Sequence, residues 1–255
     1  MLPRPNGLVT LLTDYGTGDP YVGILKGALL KAAPKVQFVD VTHEVPAHDV
    51  ATGAFLLRSL VGRFPSGTVH LAVVDPGVGT ARRLLAVAAH DAFWIAPDNG
   101  LLAPLLAGDA AVGVRQLDCE HLGLRAEART FHGRDLLGPA AAVLAVGRFG
   151  FAALGPRVLD PVTQGDPFVG APRIVHVDRF GNLISNVPAA AVGQAAGVRL
   201  GGRTIRFAGT YGEVAPGELL AYVGSFGLVE VARSGGSAAS LLEVGRGAPI
   251  ELLPA

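Results

Sequence analysis

The first half of the chain alternates short apolar runs with longer amphipathic stretches. Leu8–Thr13 is apolar and partly β-branched and stops at Asp14-Tyr15-Gly16, which predicts a buried strand followed by a loop. Asp19-Pro20 then opens a predicted helix that runs to residue 31, because proline is favoured at the first helical position. The remaining predicted elements are strands at 37–41 and 68–74, a helix at 50–61, and a hairpin of 84–89 and 92–96.

This alternation of strands and helices predicts an α/β domain over residues 1–160, with a largely parallel sheet and helices on both faces. In such sheets ligands gather at the carboxyl ends of the strands. Asp14 and Asp75 each follow a predicted strand directly. We therefore expect both carboxylates at the ligand-binding edge of the sheet.

The pattern changes after about residue 155. A stretch rich in Gly-Pro and Asp-Pro pairs predicts a linker at 161–170. Beyond it, short strand-like runs are separated by Gly, Asn or Pro turns, and they lie at 173–177, 198–200, 203–207, 219–223, 228–231 and 249–253. Residues 171–255 are thus predicted to form a smaller, mostly antiparallel β domain.

Composition narrows the functional classes. The 255 residues are 50% hydrophobic and 16% charged, which excludes a disordered chain. The formal net charge is +0, so we expect no binding of nucleic acid, because neutralisation of phosphates needs a cationic face. The single cysteine, Cys119, excludes an internal disulfide and a cysteine-based zinc cluster. Without a signal-like segment or a membrane-length apolar run, we expect a soluble cytoplasmic protein that does not bind membranes.

Common cofactor motifs fail on spacing. Gly16-Thr17-Gly18 follows the first strand, but Tyr21 occupies the position of the third glycine that a dinucleotide fingerprint needs. His43 and His48 are five residues apart with Pro46 between them, so they do not share a helix face as zinc-binding histidines do. The chain has neither a P-loop motif nor a Gly-x-Ser-x-Gly nucleophile elbow.

Four segments carry more polar and special-backbone residues than an ordinary core requires. They are 13–23 (Thr-Asp-Tyr-Gly onward), 73–83 (Val-Val-Asp-Pro-Gly-Val-Gly onward), 130–135 (Thr-Phe-His-Gly-Arg-Asp) and 177–182 (Val-Asp-Arg-Phe-Gly-Asn). In this order they resemble the adenosine-forming S-adenosyl-L-methionine (SAM) hydrolases, or SAM hydroxide adenosyltransferases, which are similar in fold to the SAM-dependent fluorinase and chlorinase. The resemblance implies a barrel-like C-terminal domain and a homotrimer with sites at subunit interfaces.

The resemblance implies a water-activating set of Asp75, Arg82 and His132. Arg82 follows Asp75 by seven residues, and His132 lies in Phe-His-Gly-Arg-Asp. Arg83 remains an alternative to Arg82, since only one of two adjacent side chains in a strand or turn faces the site. Asp75 also has a plainer explanation, because aspartate often ends a strand and caps a turn. Arg134 and the aspartate that follows it are open to interpretation as a local ion pair that only positions the loop.

Substrate contacts are implied in both domains. Asp14 matches an aspartate that binds the ribose. Asp178 and Asn182 match the pair that holds the methionyl amine and the adenine side of the ligand, although both are also typical turn residues around Gly181.

Ser225 matches a serine near the methionine carboxylate, and Glu230 and the backbone of 238–239 are further candidates on the adenine side. Phe226 stands where the halogenating relatives tend to carry arginine, which leaves carboxylate binding open. Ser-Phe-Gly is also a plain turn sequence.

The implied chemistry needs these residue types. Methionine leaves the sulfonium as a neutral thioether, so the difficult step is activation of the attacking water. Arg82 would favour hydroxide by charge, His132 would accept or relay the proton, and Asp75 would fix the orientation. We expect SAM and water as substrates, with no metal and no cofactor. A SAM-dependent halogenase and a non-catalytic SAM- or adenosine-binding protein are the alternatives.

Overall fold

The computed structural model describes residues 2–107 and 111–254. The chain divides into two compact units, Met1–Asp166 and Pro167–Ala255. This division falls within the stretch 161–170 that the sequence predicts as a linker.

The first unit is built on one six-stranded sheet. Its strands are β1 (Leu8–Thr13), β2 (Gln37–Thr42), β3 (Val69–Val73), β4 (Leu84–Ala89), β5 (Ala92–Pro97) and β6 (Ala111–Gln116). They lie in the order β2-β1-β3-β5-β4-β6, and among the described strands β4 alone runs against the others. The largely parallel sheet and the β4–β5 hairpin are thereby confirmed. His90 and Asp91 form its turn with φ of 52° and 55°, the positive values that a two-residue hairpin turn requires.

Helices cover both faces of this sheet. They are α1 (Tyr21–Ala32), α2 (Val50–Arg58), α3 (Ala103–Leu106) and α4 (Gly138–Ala145). Leu11 of β1 packs into the core beneath α1 and α4, and the next residue, Leu12, packs into the core beneath α2. Because successive strand side chains point to opposite faces, a strand buried on both sides is mostly apolar, as β1 is apart from Thr10 and Thr13.

Helix boundaries differ slightly from prediction. Pro20 is the N-cap of α1 rather than its first residue. Asp49 caps α2 by accepting a hydrogen bond from Thr52 N at 3.1 Å, and α2 ends at Arg58, three residues before the predicted end. The helix α4 was not predicted, because its sequence is apolar all round and shows no amphipathic period.

The second unit is antiparallel, which confirms the prediction. Its strands are β7 (Ile174–Val177), β8 (Leu183–Pro188), β9 (Gly197–Leu200), β10 (Arg203–Arg206), β11 (Leu219–Val223), β12 (Leu228–Arg233) and β13 (Glu251–Leu253), with a short helix α5 (Ala238–Leu242). They form a sheet of order β10-β9-β13 and a sheet of order β11-β12-β8-β7. Phe207 and Ala221 form an isolated bridge between chain segments that belong to the two sheets.

Candidate active site

A cavity of about 510 Å³ opens in the first unit, and Asp14, Asp75 and His132 line it. Asp14 directly follows β1, and Asp75 lies two residues beyond the end of β3. These strands are parallel neighbours, so both carboxylates reach the same edge of the sheet. The predicted placement of the two aspartates at this edge is what the structure shows.

The loop after β3 is stabilised by hydrogen bonds within its own backbone and by close contact with the segment around Arg129. Within it, Val78 N donates to Asp75 O at 3.2 Å and Thr80 N donates to Gly77 O at 3.2 Å. Gly79 has a φ of 82°, and a Cβ there would lie only 2.9 Å from the carbonyl oxygen of Arg129. Glycine is therefore required on two grounds, and the close approach lays this loop against the segment that leads to His132.

Asp75 and Arg82 form a buried ion pair across this loop. Arg82 Nε donates to both carboxylate oxygens, at 2.7 and 2.9 Å, and Arg82 Nη2 also donates to Asp75 Oδ2. Only 6% of the Asp75 side chain and 8% of the Arg82 side chain are exposed. A pair desolvated to this degree depends on good geometry, and removal of one partner would leave an uncompensated buried charge.

Arg82 also reaches the histidine. Its Nη2 lies 3.1 Å from His132 Nδ1. A guanidinium has no acceptor, so Nδ1 must accept this hydrogen bond, and the neutral ring then carries its proton on Nε2. Burial lowers the pKa of His132 and the Arg82 cation lowers it further, whereas Asp75 and Asp135 oppose the shift. The neutral imidazole is thus the form that this arrangement favours.

The choice between the two adjacent arginines has a geometric answer. Arg83 Nε donates to Asp98 Oδ2 at 2.7 Å, and Arg83 Nη1 donates to Asp160 Oδ1 at 2.7 Å. The two side chains thus serve different partners, and Arg82 is the one joined to Asp75 and His132.

Asp14 is oriented by a strained backbone position. Its Oδ2 accepts a hydrogen bond from His48 N at 2.9 Å, and His48 has a φ of 66°, which is unusual for a residue with a side chain. His48 lines the same cavity. The remaining lone pairs of Asp14 are available to a diol or another donor.

Three aromatic rings complete the cavity wall and were not assigned a role from the sequence. Tyr15, Tyr21 and Phe131 contact one another with ring centroids 5.5–6.1 Å apart. The Tyr15 hydroxyl fills the space that a Cβ on Gly133 would need. Burial raises the pKa of Tyr15, and the carboxylates of Asp14 and Asp75 raise it further, so the phenol stays protonated. For two of the three rings the sequence offered a signal, since Tyr15 follows Asp14 directly and Phe131 directly precedes His132.

The predicted residues of the second unit are engaged within that unit. Asp178 Oδ1 accepts from Phe180 N and Asn182 N at 2.9 Å each, and Asp178 Oδ2 accepts from Asn182 Nδ2 at 2.8 Å. Gly181 has a φ of 81° within this turn. The turn-forming role of Asp178 and Asn182 is therefore real, and their contact with a ligand stays a prediction.

Glu230 is a buried carboxyl with a tyrosine partner. It lies opposite Tyr222 in the β11–β12 ladder, and Tyr222 Oη donates to Glu230 Oε2 at 2.6 Å. Burial raises the pKa of Glu230, the Tyr222 hydrogen bond lowers it, and the charge of Asp178 raises it. Ser225 lies in the turn that joins the two strands, two residues after Val223 at the end of β11. Whether Ser225 and Glu230 contact substrate stays a prediction.

Neither a metal cluster nor a membrane helix is found in residues 2–107 and 111–254. No group of three or more His, Cys, Asp or Glu side chains there is placed to hold a metal ion. None of the helices in the same ranges has the length and apolar character needed to cross a bilayer.

Comparison with known proteins covers almost the whole chain. Residues 9–155 match the SAM hydroxide adenosyltransferase N-terminal domain, and residues 172–251 match the C-terminal domain of the same family. A protein of Salinispora tropica named (R)-S-adenosyl-L-methionine hydrolase is 41% identical, with 96% of each chain covered. A fluorinase of an Actinoplanes species is 28% identical over 71% of this chain and 72% of its own.

The fold has an experimental counterpart. The crystal structure of an uncharacterized conserved protein from Thermotoga maritima superposes with a TM-score of 0.87 at 30% identity, covering 96% of this chain and 99% of that one. Together with the ordered motifs and the two matched domains, this similarity shows that the chain belongs to the SAM hydroxide adenosyltransferase family.

Proposed function

We propose that this protein hydrolyses SAM to adenosine and L-methionine by in-line attack of water on C5′. The observation that carries the proposal is the contact of one buried arginine, Arg82, with both Asp75 and His132 at the edge of a single cavity. The relative that is 41% identical is itself named a SAM hydrolase, which supports the same chemistry.

The reaction balances without a cofactor. The water oxygen bonds to C5′ while the C5′–S bond breaks, and its electron pair stays on sulfur, so methionine leaves as a neutral thioether. The attacking water loses one proton. Asp75 accepts a hydrogen bond from this water and orients it, because a carboxylate has about four acceptor sites and the contacts with Arg82 occupy three; the proton passes on to solvent. The products are adenosine, methionine and a released proton.

His132 and Arg82 have distinct tasks in this account. His132 holds the water through its Nε2–H, and it accepts a proton itself only after its Nδ1 leaves Arg82. Arg82 stabilises hydroxide character on the water and fixes the other two groups. Positioning of this kind lowers the activation free energy of the attack by several kcal/mol.

Substrate binding is proposed to involve both units of the chain. Asp14 accepts hydrogen bonds from the ribose diol, and Asp178 and Asn182 bind the methionyl amine and the adenine side. Ser225 binds near the methionine carboxylate, and Glu230 lies on the adenine side. We further propose a cytoplasmic homotrimer with its sites at subunit interfaces; sedimentation of the pure protein tests the trimer, and cell fractionation tests the location.

The test of the activity is incubation of pure protein with SAM, followed by chromatography. Adenosine formed in excess of a His132→Ala control is the expected result. SAM that stays intact but bound tightly would overturn the proposal in favour of a binding protein. A 5′-halo-5′-deoxyadenosine that appears only with chloride or fluoride would overturn it in favour of a halogenase.

A further inference from the structure

Asp135 lies three residues after His132 and fastens the segment that carries this histidine. It belongs to the π-helical turn Gly133–Leu137, and only 3% of its side chain is exposed. Its Oδ2 accepts hydrogen bonds from Glu127 N at 2.8 Å and from Ala128 N at 3.0 Å. One buried carboxylate therefore holds the backbone at the beginning of the segment 127–132, which ends at His132.

Arg134 ties the other end of this segment to the same carboxylate. Arg134 Nε donates to Asp135 Oδ1 at 2.5 Å, and Arg134 Nη2 donates to Asp135 Oδ2 at 3.0 Å. The guanidinium carbon lies 5.0 Å from the centre of the Phe131 ring, within the range of a cation–π contact. Ala128, Phe131 and Arg134 line the cavity together with His132. One side chain thus anchors the part of the cavity wall that runs from Ala128 to Arg134.

We propose that Asp135 is a positioning residue that holds the segment 127–132, and with it the His132 ring, in place at the edge of the cavity. An ion pair that served only to order a loop would be replaceable by any well-packed contact. Asp135 does more, since its negative charge also acts on the imidazole and favours the protonated ring, as does that of Asp75. The charges that act on the pKa of His132 are those of Arg82, Asp75 and Asp135.

The decisive variant is Asp135→Asn. Asparagine keeps the size of the side chain and one acceptor oxygen, but it loses the charge and the second acceptor. We expect the pKa of His132 to fall in a titration followed by NMR, with the resonance identified by its loss in His132→Ala. This measurement does not require turnover. On the proposed function, kcat/KM for SAM should also fall about tenfold, because a shift of the His132 ring too small to break its contact with Arg82 still lowers the rate. The acid limb of the pH profile should move to lower pH.

A matched control is available in Asp98→Asn. Asp98 is also a buried aspartate of the first unit that accepts from an arginine, Arg83 at 2.7 Å, and from a backbone amide, Val162 N at 2.8 Å. Its loss should lower the melting temperature to a similar degree but leave the His132 titration and the pH profile unchanged. A shift in this control as large as that in Asp135→Asn would overturn the proposal, as would an unshifted His132 in Asp135→Asn.

A second variant acts in the opposite direction and covers the case in which Asp135→Asn does not fold. Arg134→Gln leaves the Asp135 charge without its cation, so the pKa of His132 should rise instead of fall. A fall or no change would contradict the proposal. If no variant and no wild-type sample hydrolyses SAM, the proposed function fails, whereas the two NMR titrations still decide the role of Asp135.

Discussion

Replacement of Arg82 by lysine, compared with the same replacement at Arg83, measures what the central guanidinium does. Arg82 holds Asp75 through Nε at 2.7 Å and His132 through Nη2 at 3.1 Å. A lysine has one nitrogen and cannot reproduce this planar fork, so at least one hydrogen bond to a charged or catalytic group is lost. Such a bond contributes about 1.5–3 kcal/mol. The corresponding loss in kcat is about ten- to a hundredfold, at nearly unchanged KM.

Lysine at position 82 keeps a positive charge beside the buried Asp75, so the fold should survive, and thermal unfolding checks this. Arg83→Lys is the control, because Arg83 also holds two carboxylates, Asp98 and Asp160, and is the next residue in the chain. The assay is adenosine release at several SAM concentrations. Full activity in Arg82→Lys, or an equal loss in Arg83→Lys, would refute the reasoning.

Three further outcomes are expected. Burial lowers the pKa of His70 to about 3, so between pH 6.5 and pH 3 this histidine binds a proton only in the unfolded chain. The free energy of unfolding should therefore fall by ~1.4 kcal/mol for each unit by which the pH is lowered in this range. Urea titrations of His70→Gln should lack this contribution to the slope. Burial raises the pKa of Glu230, so the folded protein favours the protonated carboxyl and loses stability as the pH rises above 4.5. The free energy of unfolding of Glu230→Gln should therefore increase relative to that of the wild type between pH 4 and pH 8. An equal difference between the two proteins at both pH values would contradict this. Asp14→Asn should raise KM for SAM about tenfold with kcat nearly unchanged, since it removes the charge-assisted hydrogen bond that we propose Asp14 makes to the ribose; a fall in kcat at unchanged KM in steady-state kinetics would contradict this.

The sheet edge that carries the candidate site was predictable from sequence. Apolar runs that stop at Asp14 and just before Asp75 indicate buried parallel strands, and the carboxyl ends of parallel strands share one edge. The antiparallel second unit was also predictable, because short strand-like runs separated by Gly, Asn and Pro turns are typical of antiparallel β domains. In both cases the local pattern and the tertiary arrangement agree.

Other features depend on contacts that no local pattern encodes. Arg82 and Arg83 are adjacent and chemically identical, and only the fold shows that one meets Asp75 and the other Asp98. The sequence places Asp135 beside Arg134 but gives no sign that its carboxylate also holds two backbone amides seven and eight residues earlier. The all-apolar helix Gly138–Ala145 lacked the period that would have marked it as helical.

The source of the oxygen in the product tests the central claim most directly. If Asp75, Arg82 and His132 activate one water for attack on C5′, hydrolysis of SAM in ¹⁸O-labelled water should place one heavy oxygen on the 5′-carbon of adenosine. Methionine should be released without the label, and His132→Ala should form little labelled adenosine. Adenosine that lacks the heavy oxygen, or labelled adenosine formed as fast by His132→Ala as by the wild type, would contradict the account.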